Sequence, residues 1–329
     1  MSLDFLGGKT ILITGGTGSF GQRCVRILLG QSAAARIVIF SRDELKQSQM
    51  QTEISDPDGR LRFFIGDIRD VDRLIMALQG VDYVIHAAAL KQVPALEYNP
   101  FEAVKTNIIG TQNVIMAALK NNVEKMVLVS TDKAANPANL YGATKLCAER
   151  LMTSANAYSG KGGTKFGAVR YGNVLGSRGS IIKIIEQQRA TGEITLTHED
   201  MTRFWITLDQ GVEVVMMALE KMYGGEVFVP KLPSMKIKDF ISLLAPDSKI
   251  KIVGIRPGEK LHEALVTLEE ARHTKEFSNH YVIMPEHDWW LGHDVYGSGV
   301  KVKEGFYFAS HNNEQWLDEE GMKKLLTTL

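Results

Sequence analysis

Between Lys9 and Arg170, short apolar runs rich in β-branched residues alternate with stretches whose apolar positions recur every three or four residues. Runs of the first kind predict buried strands over residues 10–14, 37–41, 61–65, 83–86, 125–130 and 166–170. Stretches of the second kind predict amphipathic helices over 20–29, 43–54, 71–79, 101–120 and 141–158, with Gly30 and Gly80 placed to end two of them. Strand and helix in strict alternation require crossover connections, so the expected class is α/β with a doubly wound parallel sheet.

After Arg170 the pattern loosens. Gly172, Gly176, Arg178 and Gly179 crowd one stretch, and residues 181–189, 208–222 and 237–244 read as helices among short strands. Residues 1–170 are therefore expected to form a dinucleotide-binding domain, and 171–329 a smaller substrate-binding lobe and tail, with part of the later chain adding a strand to the sheet. Beyond Glu286, Trp289, Trp290 and Trp316 follow no period, and no elements are predicted there.

The first strand runs into Thr14-Gly15-Gly16-Thr17-Gly18-Ser19-Phe20-Gly21 and then a helix. In that context Gly15 permits a tight turn, Gly18 lets the backbone approach a pyrophosphate, and Gly21 allows close helix packing. The helix N-terminus offers unpaired N–H groups to the anion. This is the phosphate-binding turn of a Rossmann-like dinucleotide site.

Composition narrows the partners. The 329 residues balance 38 Lys+Arg against 38 Asp+Glu, so no global field recruits nucleic acid or anionic lipid. No window reaches the ~18 consecutive apolar residues of a membrane span. Cys24 and Cys147 have neither a second Cys nor a His at ligand spacing, and Asp4 stands where a signal peptide carries basic residues. A cytoplasmic protein without membrane contact is expected. His273, His280, His287 and His293 lack zinc spacing, so no metal is expected.

The second strand ends Phe40-Ser41-Arg42, where an NAD-specific site normally carries an acid for the ribose 2′-hydroxyl. A hydroxyl, the Arg42 guanidinium and nearby Lys46 suit a 2′-phosphate, which favours NADP. The alternative gives Asp43 the acidic role, with Arg42 stacked on adenine. Asp67 and Ile68 after the third strand are placed for the adenine, although Asp67 also suits a turn or helix cap. Tyr141 and Lys145, four apart on one helix face, can address one ligand, with the Lys charge expected to lower the phenol pKa.

The GxxGxxG spacing, His86-Ala87-Ala88-Ala89, Asn107-Ile108-Ile109-Gly110-Thr111 and Tyr141-Gly142-Ala143-Thr144-Lys145 together resemble the extended short-chain dehydrogenase/reductase superfamily. That resemblance implies cofactor contacts from Gly15, Thr17, Gly18, Ser19, Phe20, Gly21, Ser41, Arg42, Asp43, Lys46, Asp67, Ile68, Ala87, Ala88, Lys91, Thr106, Tyr141 and Lys145.

The segment Ser130-Thr131-Asp132-Lys133-Ala134-Ala135-Asn136-Pro137 narrows it further, because dehydratases acting on nucleotide-glucose carry Asp-Glu at this point. With Ser41 to Lys46, Arg170 to Val174, Met201 to Trp205 and Arg256 to Lys260, this chain resembles the C5-inverting UDP-N-acetylglucosamine 4,6-dehydratases that open pseudaminic acid formation. The resemblance implies that Tyr141, beside Thr131, removes the C4 hydroxyl proton while tightly bound, recycled NADP takes the hydride. Lys133 and Asp132 are placed to remove the C5 hydrogen and protonate the departing C6 hydroxyl. To act as a base, Lys133 is expected to have its pKa depressed by burial.

Substrate contacts are implied for Ala87, Lys91, Thr131, Asn173, Val174, Arg178, Arg256 and Glu259, with Asn173, Arg178 and Arg256 lining a cleft toward the UDP pyrophosphate. Helices 101–120 and 141–158 are expected to pair with their copies in a homo-oligomer, a dimer or a hexamer. Two readings compete: a UDP-sugar 4-epimerase needing only Tyr141 and Lys145, and a non-catalytic NADP-binding regulator. Asp132-Lys133 speaks against the first, and the complete Thr131, Tyr141, Lys145 set against the second.

Overall fold

A computed structural model describes residues 2–328 apart from 161, 178, 288–289 and 291–295. Six parallel strands carry the fold: β1 (Thr10–Thr14), β2 (Arg36–Ser41), β3 (Leu61–Ile65), β4 (Tyr83–His86), β5 (Lys125–Val129) and β6 (Lys165–Val169). They lie in the order β6-β5-β4-β1-β2-β3, so the direction of winding reverses between β1 and β4. Ile11, Leu12, Ile37, Ile39, Val84, Ile85, Val127 and Leu128 are fully or almost fully buried, as strands covered on both faces must be.

The helices between them are α1 (Ser19–Gln31), α2 (Glu44–Glu53), α3 (Val71–Ala77), α4 (Val93–Tyr98), α5 (Pro100–Ala103), α6 (Gly110–Lys120) and α7 (Leu140–Ser159). Asp43 and Asp70 cap α2 and α3, accepting from the backbone N–H of Lys46 and Arg73. Gly80 adopts the left-handed conformation just beyond α3, whereas Gly30 lies inside α1, which runs on to Gln31. The stretch 101–120 is not one uniform helix, because a π-helical segment, Val104–Ile109, joins α5 to α6. Consecutive residues Thr106 and Asn107 are both buried there. Asn107 uses its side chain to hold the loop after β4, accepting from the Leu90 N–H at 2.8 Å and donating to the Leu90 carbonyl at 2.9 Å and to Thr144 Oγ1 of α7 at 3.0 Å.

After β6 the chain leaves the sheet, and it comes back at Val227–Pro230, parallel to β6. Strands His280–Ile283, Thr274–Glu276 and Val300–Lys301 continue outward from there, making ten strands among the described residues. The excursion between residues 170 and 227 includes a short strand, Asn173–Val174, and a helix, Ile181–Arg189. A second apolar cluster lies outside the sheet, with Trp205 packed on Phe240 at 4.5 Å between ring centroids and Met322 fully buried beside them. The tail, patternless in sequence, supplies strand Phe308–Ala309 against Ala264–Val266 and helix Glu319–Leu326.

Candidate active site

At the carboxyl ends of these strands, beside the reversal point, lies a cavity of about 650 Å³. Such crevices bind ligands because neighbouring loops diverge there. One wall is the turn after β1. Gly15 has φ of +68°, and a Cβ on it would lie 2.9 Å from the Ala88 backbone, so only glycine lets the two loops approach. The turn delivers Gly18 to the N-cap of α1, where no capping side chain closes the first turn. Gly15, Thr17, Gly18, Ser19, Phe20 and Gly21 all line the cavity, as do Ser41, Arg42, Asp43, Lys46, Ile68, Ala87, Ala88, Lys91, Thr106, Tyr141 and Lys145. A dinucleotide fits this wall on a further ground: Thr106 and Ser130 line it with buried hydroxyls that have no hydrogen-bond partner among the described residues.

Under this wall His86 accepts from the Thr14 hydroxyl at Nδ1 (2.7 Å) and meets Thr111 Oγ1 at Nε2 (3.0 Å). Thr111 donates to the Asn107 carbonyl, which leaves its oxygen to accept from Nε2–H and assigns the tautomer. Burial and the neighbouring Lys145 charge lower the His86 pKa to about 3. A neutral imidazole thus ties β1 to β4 beneath the phosphate turn.

The second wall follows β5. Thr131 caps a single 3-10 turn, Asp132–Ala134, and the first turn of α7 packs directly on it. A Cβ at Gly142 would sit 2.2 Å from the Lys133 carbonyl oxygen, which is why glycine follows Tyr141. Asn139 fixes the start of α7 by accepting from the Gly142 N–H at 2.8 Å while donating to the Gly258 carbonyl at 2.7 Å. Thr131, Lys133, Tyr141 and Lys145 therefore converge on one cavity, with Asn173 and Val174 opposite.

Asp132 is fully buried behind them and accepts from Thr131 Oγ1 at 3.0 Å and from Lys133 Nζ at 3.0 Å. Lys133 Nζ also lies 3.2 Å from Glu263 Oε1. Burial by itself would lower the Lys133 pKa, but Asp132 and Glu263 outweigh it and raise it above the ordinary lysine value. The expected depression is therefore not found, because two buried carboxylates flank the ammonium. Burial raises the pKa of Asp132, with Lys133 opposing. Tyr141 is pushed up to about 12 by burial; the cation that opposes this is Lys133 rather than Lys145, helped by a hydrogen bond with Thr131. Lys145 is lowered to about 8 by burial and donates to the Val129 carbonyl at 2.8 Å.

Several expected site residues stand elsewhere. Asp67 does not line the cavity; its carboxylate accepts from Arg69 at 2.7 Å and lies 3.6 Å from Arg42. Arg256 is exposed and Glu259 half-buried, in a surface turn that rests on Asn139 through Gly258 and on the Ala135 carbonyl through Lys260, and neither lines the cleft. Arg178 lies outside the described residues, as does His293. Among the described residues no cluster of three or more His, Cys, Asp or Glu is arranged for a metal, and no helix is long and apolar enough to cross a membrane.

Sequence reasoning missed Glu263, whose only signal was an acid three positions beyond the Arg256-to-Lys260 segment. Tyr171 and Trp205 also line the cavity, and each belongs to a segment that carries the family resemblance, Arg170 to Val174 and Met201 to Trp205.

Known proteins share this architecture along the whole chain. The chain is 48% identical over 328 residues, 97% of each protein, to the UDP-N-acetylglucosamine 4,6-dehydratase (inverting) of Campylobacter jejuni subsp. jejuni serotype O:23/36. It is 40% identical over 330 residues, 98% of this chain and 96% of the relative, to the UDP-glucose 4-epimerase of Rickettsia akari. The solved X-ray structure of Pen from Bacillus thuringiensis superposes with a TM-score of 0.89 at 38% identity, covering 99% of this chain and all of that one. Residues 11–285 match the family model described as polysaccharide biosynthesis protein. With a strand order that reverses beside a glycine turn, and with that match over most of its length, the chain belongs to the polysaccharide biosynthesis protein family.

Proposed function

We propose that the protein is a UDP-N-acetylglucosamine 4,6-dehydratase that inverts C5, giving UDP-2-acetamido-2,6-dideoxy-β-L-arabino-hex-4-ulose, the opening reaction of pseudaminic acid formation. The observation that carries this reading is Lys133 on the wall of the cavity that Tyr141 and Lys145 also line, with Asp132 fully buried behind it at 3.0 Å rather than on the wall itself. Epimerisation at C4 needs no such pair. Elimination of water does, because one group must take the C5 hydrogen while another protonates the C6 oxygen. The name of the Campylobacter relative agrees with it.

A bound oxidised nicotinamide dinucleotide would accept the C4 hydride, add positive charge to the cavity, and give the hydride back at C6 after water has left, as a proton returns to C5. Tyr141, held by Thr131, takes the proton of the C4 hydroxyl. The resulting ketone acidifies C5–H, which Lys133 removes as its free amine once its proton has passed to Asp132; from buried Asp132 that proton reaches the departing C6 hydroxyl through the Thr131 hydroxyl, which bonds Asp132 at 3.0 Å and lines the cavity. Lys145 stays in place through the Val129 carbonyl, and Lys91, lowered in pKa by burial and by Lys133, faces the substrate from the loop after β4.

NADP is the favoured form. Asp43 lines the cavity together with Ser41 and Arg42, but its carboxylate is already engaged, capping α2 and pairing with Lys46 at 2.5 Å.

The test is an NMR time course with UDP-N-acetylglucosamine in deuterated buffer without added cofactor. The expected result is a 6-deoxy-4-keto sugar carrying deuterium at C5, with coupling constants of the inverted centre. Formation of the C4 epimer alone would instead establish the reading that the Rickettsia relative's name favours.

A further inference from the structure

The Asp132–Lys133 pair has two arrangements with the same number of protons: carboxylate with ammonium, and carboxylic acid with amine. Under the dehydratase reading, on which this inference rests, only the second can begin the elimination. The amine forms N–H as C5–H breaks, the C5–C6 double bond forms, the C6–O bond breaks, and the Asp132 proton is relayed to that oxygen through the Thr131 hydroxyl as water leaves. The pair ends as ammonium and carboxylate. What sets the balance between the two arrangements is the surrounding charge.

Lys133 Nζ lies between Asp132 Oδ1 at 3.0 Å and Glu263 Oε1 at 3.2 Å. Glu263 is held from behind. Lys260 Nζ lies 3.2 Å from its other oxygen, Arg203 Nε is 3.9 Å away, and its backbone bonds Ser310 through both N–H and carbonyl. Neither Glu263 nor Arg203 nor Lys260 lines the cavity, and the Glu263 side chain is 3% exposed. It therefore reaches the substrate only through Lys133. We infer that Glu263 is a positioning residue that decides which of Asp132 and Lys133 carries their shared proton, holding Lys133 as an ammonium until the site is loaded.

Every charged neighbour of Lys133 enters this balance. Glu263 favours the ammonium, while Arg203 from strand Thr202–Ile206 and Lys91 from the loop after β4 disfavour it. Tyr141 from α7 is coupled to the same charge, and Lys260 acts through Glu263. Burial favours the uncharged arrangement and lies behind the raised pKa of Asp132. Three cations, Lys133 above all and then Arg203 and Lys260, keep Glu263 ionised, at a pKa lowered to about 2 against its own burial. Its negative charge is thus constant across the working pH range.

The decisive experiment is acetic anhydride labelling of Lys133 in the purified full-length protein without substrate, quantified by peptide mass spectrometry across pH. In Glu263→Gln the labelling midpoint is expected to fall by a pH unit or more, making Lys133 about tenfold more reactive at a given pH below it. A midpoint identical to that of the parent protein overturns the proposal. Glu263→Asp, which keeps the charge but retracts it, is expected to fall between the two, and it decides the question should the Gln variant fail to fold.

A second readout is the acid limb of C5 deuterium uptake. The proposal requires the limb to move down with the labelling midpoint, whereas a lower rate at every pH with an unmoved limb overturns it. Because labelling needs no substrate, a shifted midpoint in a protein that fails to convert UDP-N-acetylglucosamine supports Glu263 and counts against the proposed substrate alone.

Discussion

Arg170, immediately after β6, grips Glu149 of α7 through both carboxylate oxygens, with Nη2 at 2.6 Å and Nε at 3.2 Å. The same guanidinium reaches both oxygens of Glu270 at 2.8 Å and the Leu265 carbonyl at 3.0 Å. Glu149 lies one helical turn beyond Lys145 and counters the burial that lowers its pKa. The triad thus joins the sheet, the helix bearing Tyr141 and Lys145, and the segment following strand Ala264–Val266.

Replacing Arg170 by Met would leave two buried carboxylates without their cation. Breaking a buried ion pair from one side costs about 3–5 kcal/mol. Urea unfolding of Arg170→Met should show that loss, and Glu149→Gln should cost less because its amide can still accept from Arg170.

The roles in the cavity separate by variant. Tyr141→Phe is expected to lower turnover by about 10²–10⁴-fold, the usual worth of general acid–base catalysis, while dinucleotide affinity is retained. Lys133→Ala should suppress C5 deuterium uptake by a similar factor. Normal exchange in that variant would remove Lys133 from the role of base.

In the proposed NADP site Arg42 stands at the cavity edge, its side chain 52% exposed. A charge-assisted hydrogen bond to a 2′-phosphate is worth about 1.5–3 kcal/mol. Titration of Arg42→Ala should therefore show NADP binding weakened by about 10-fold or more, with NAD little changed. Equal losses for both would favour the Asp43 reading.

His86 gives stability a definite pH slope. Its folded pKa, about 3, lies below the ordinary value of 6.5, so in that window the unfolded chain binds a proton that the folded chain does not. The contribution is fully present above pH 6.5 and is lost as pH falls toward 3, at up to about 1.4 kcal/mol per pH unit. In His86→Gln the amide can accept from Thr14 and donate to Thr111 without titrating. The stability gap between the parent and this variant should narrow or reverse between pH 7 and 5 in denaturant melts.

The strands were legible because each is a short apolar run, buried on both faces in all but the half-exposed edge strand β3, and a parallel sheet leaves few other places for such a run. The phosphate turn was legible for a related reason, since its glycines answer to local backbone geometry at Gly15. Helix 101–120 was only half legible: apolar period does not reveal a π turn, in which Asn107 is held by hydrogen bonds to the loop at Leu90. The tail strands pair with residues dozens of positions away and carry no period of their own.

The same distance hid the electrostatics of the site. Lys133 and Glu263 are 130 positions apart, so burial was foreseeable from the strand context but the second carboxylate was not. Arg256 was misplaced for the converse reason: its motif marks a turn, and whether a turn faces a cavity is settled only by packing such as that of Gly258 on Asn139.

The return of the chain to the sheet at Val227–Pro230 has a consequence for biosynthesis. A nascent chain that has emerged only through residue 170 carries β1 to β6 in full but leaves the outer edge of β6 unpaired, with the backbone groups of Ala168 and Arg170 lacking Glu226 and Phe228. Fifty-seven further residues separate Arg170 from Phe228. At about 5–20 residues per second the ribosome needs several seconds to supply them, an interval in which the open edge is most exposed to chaperones and to neighbouring chains.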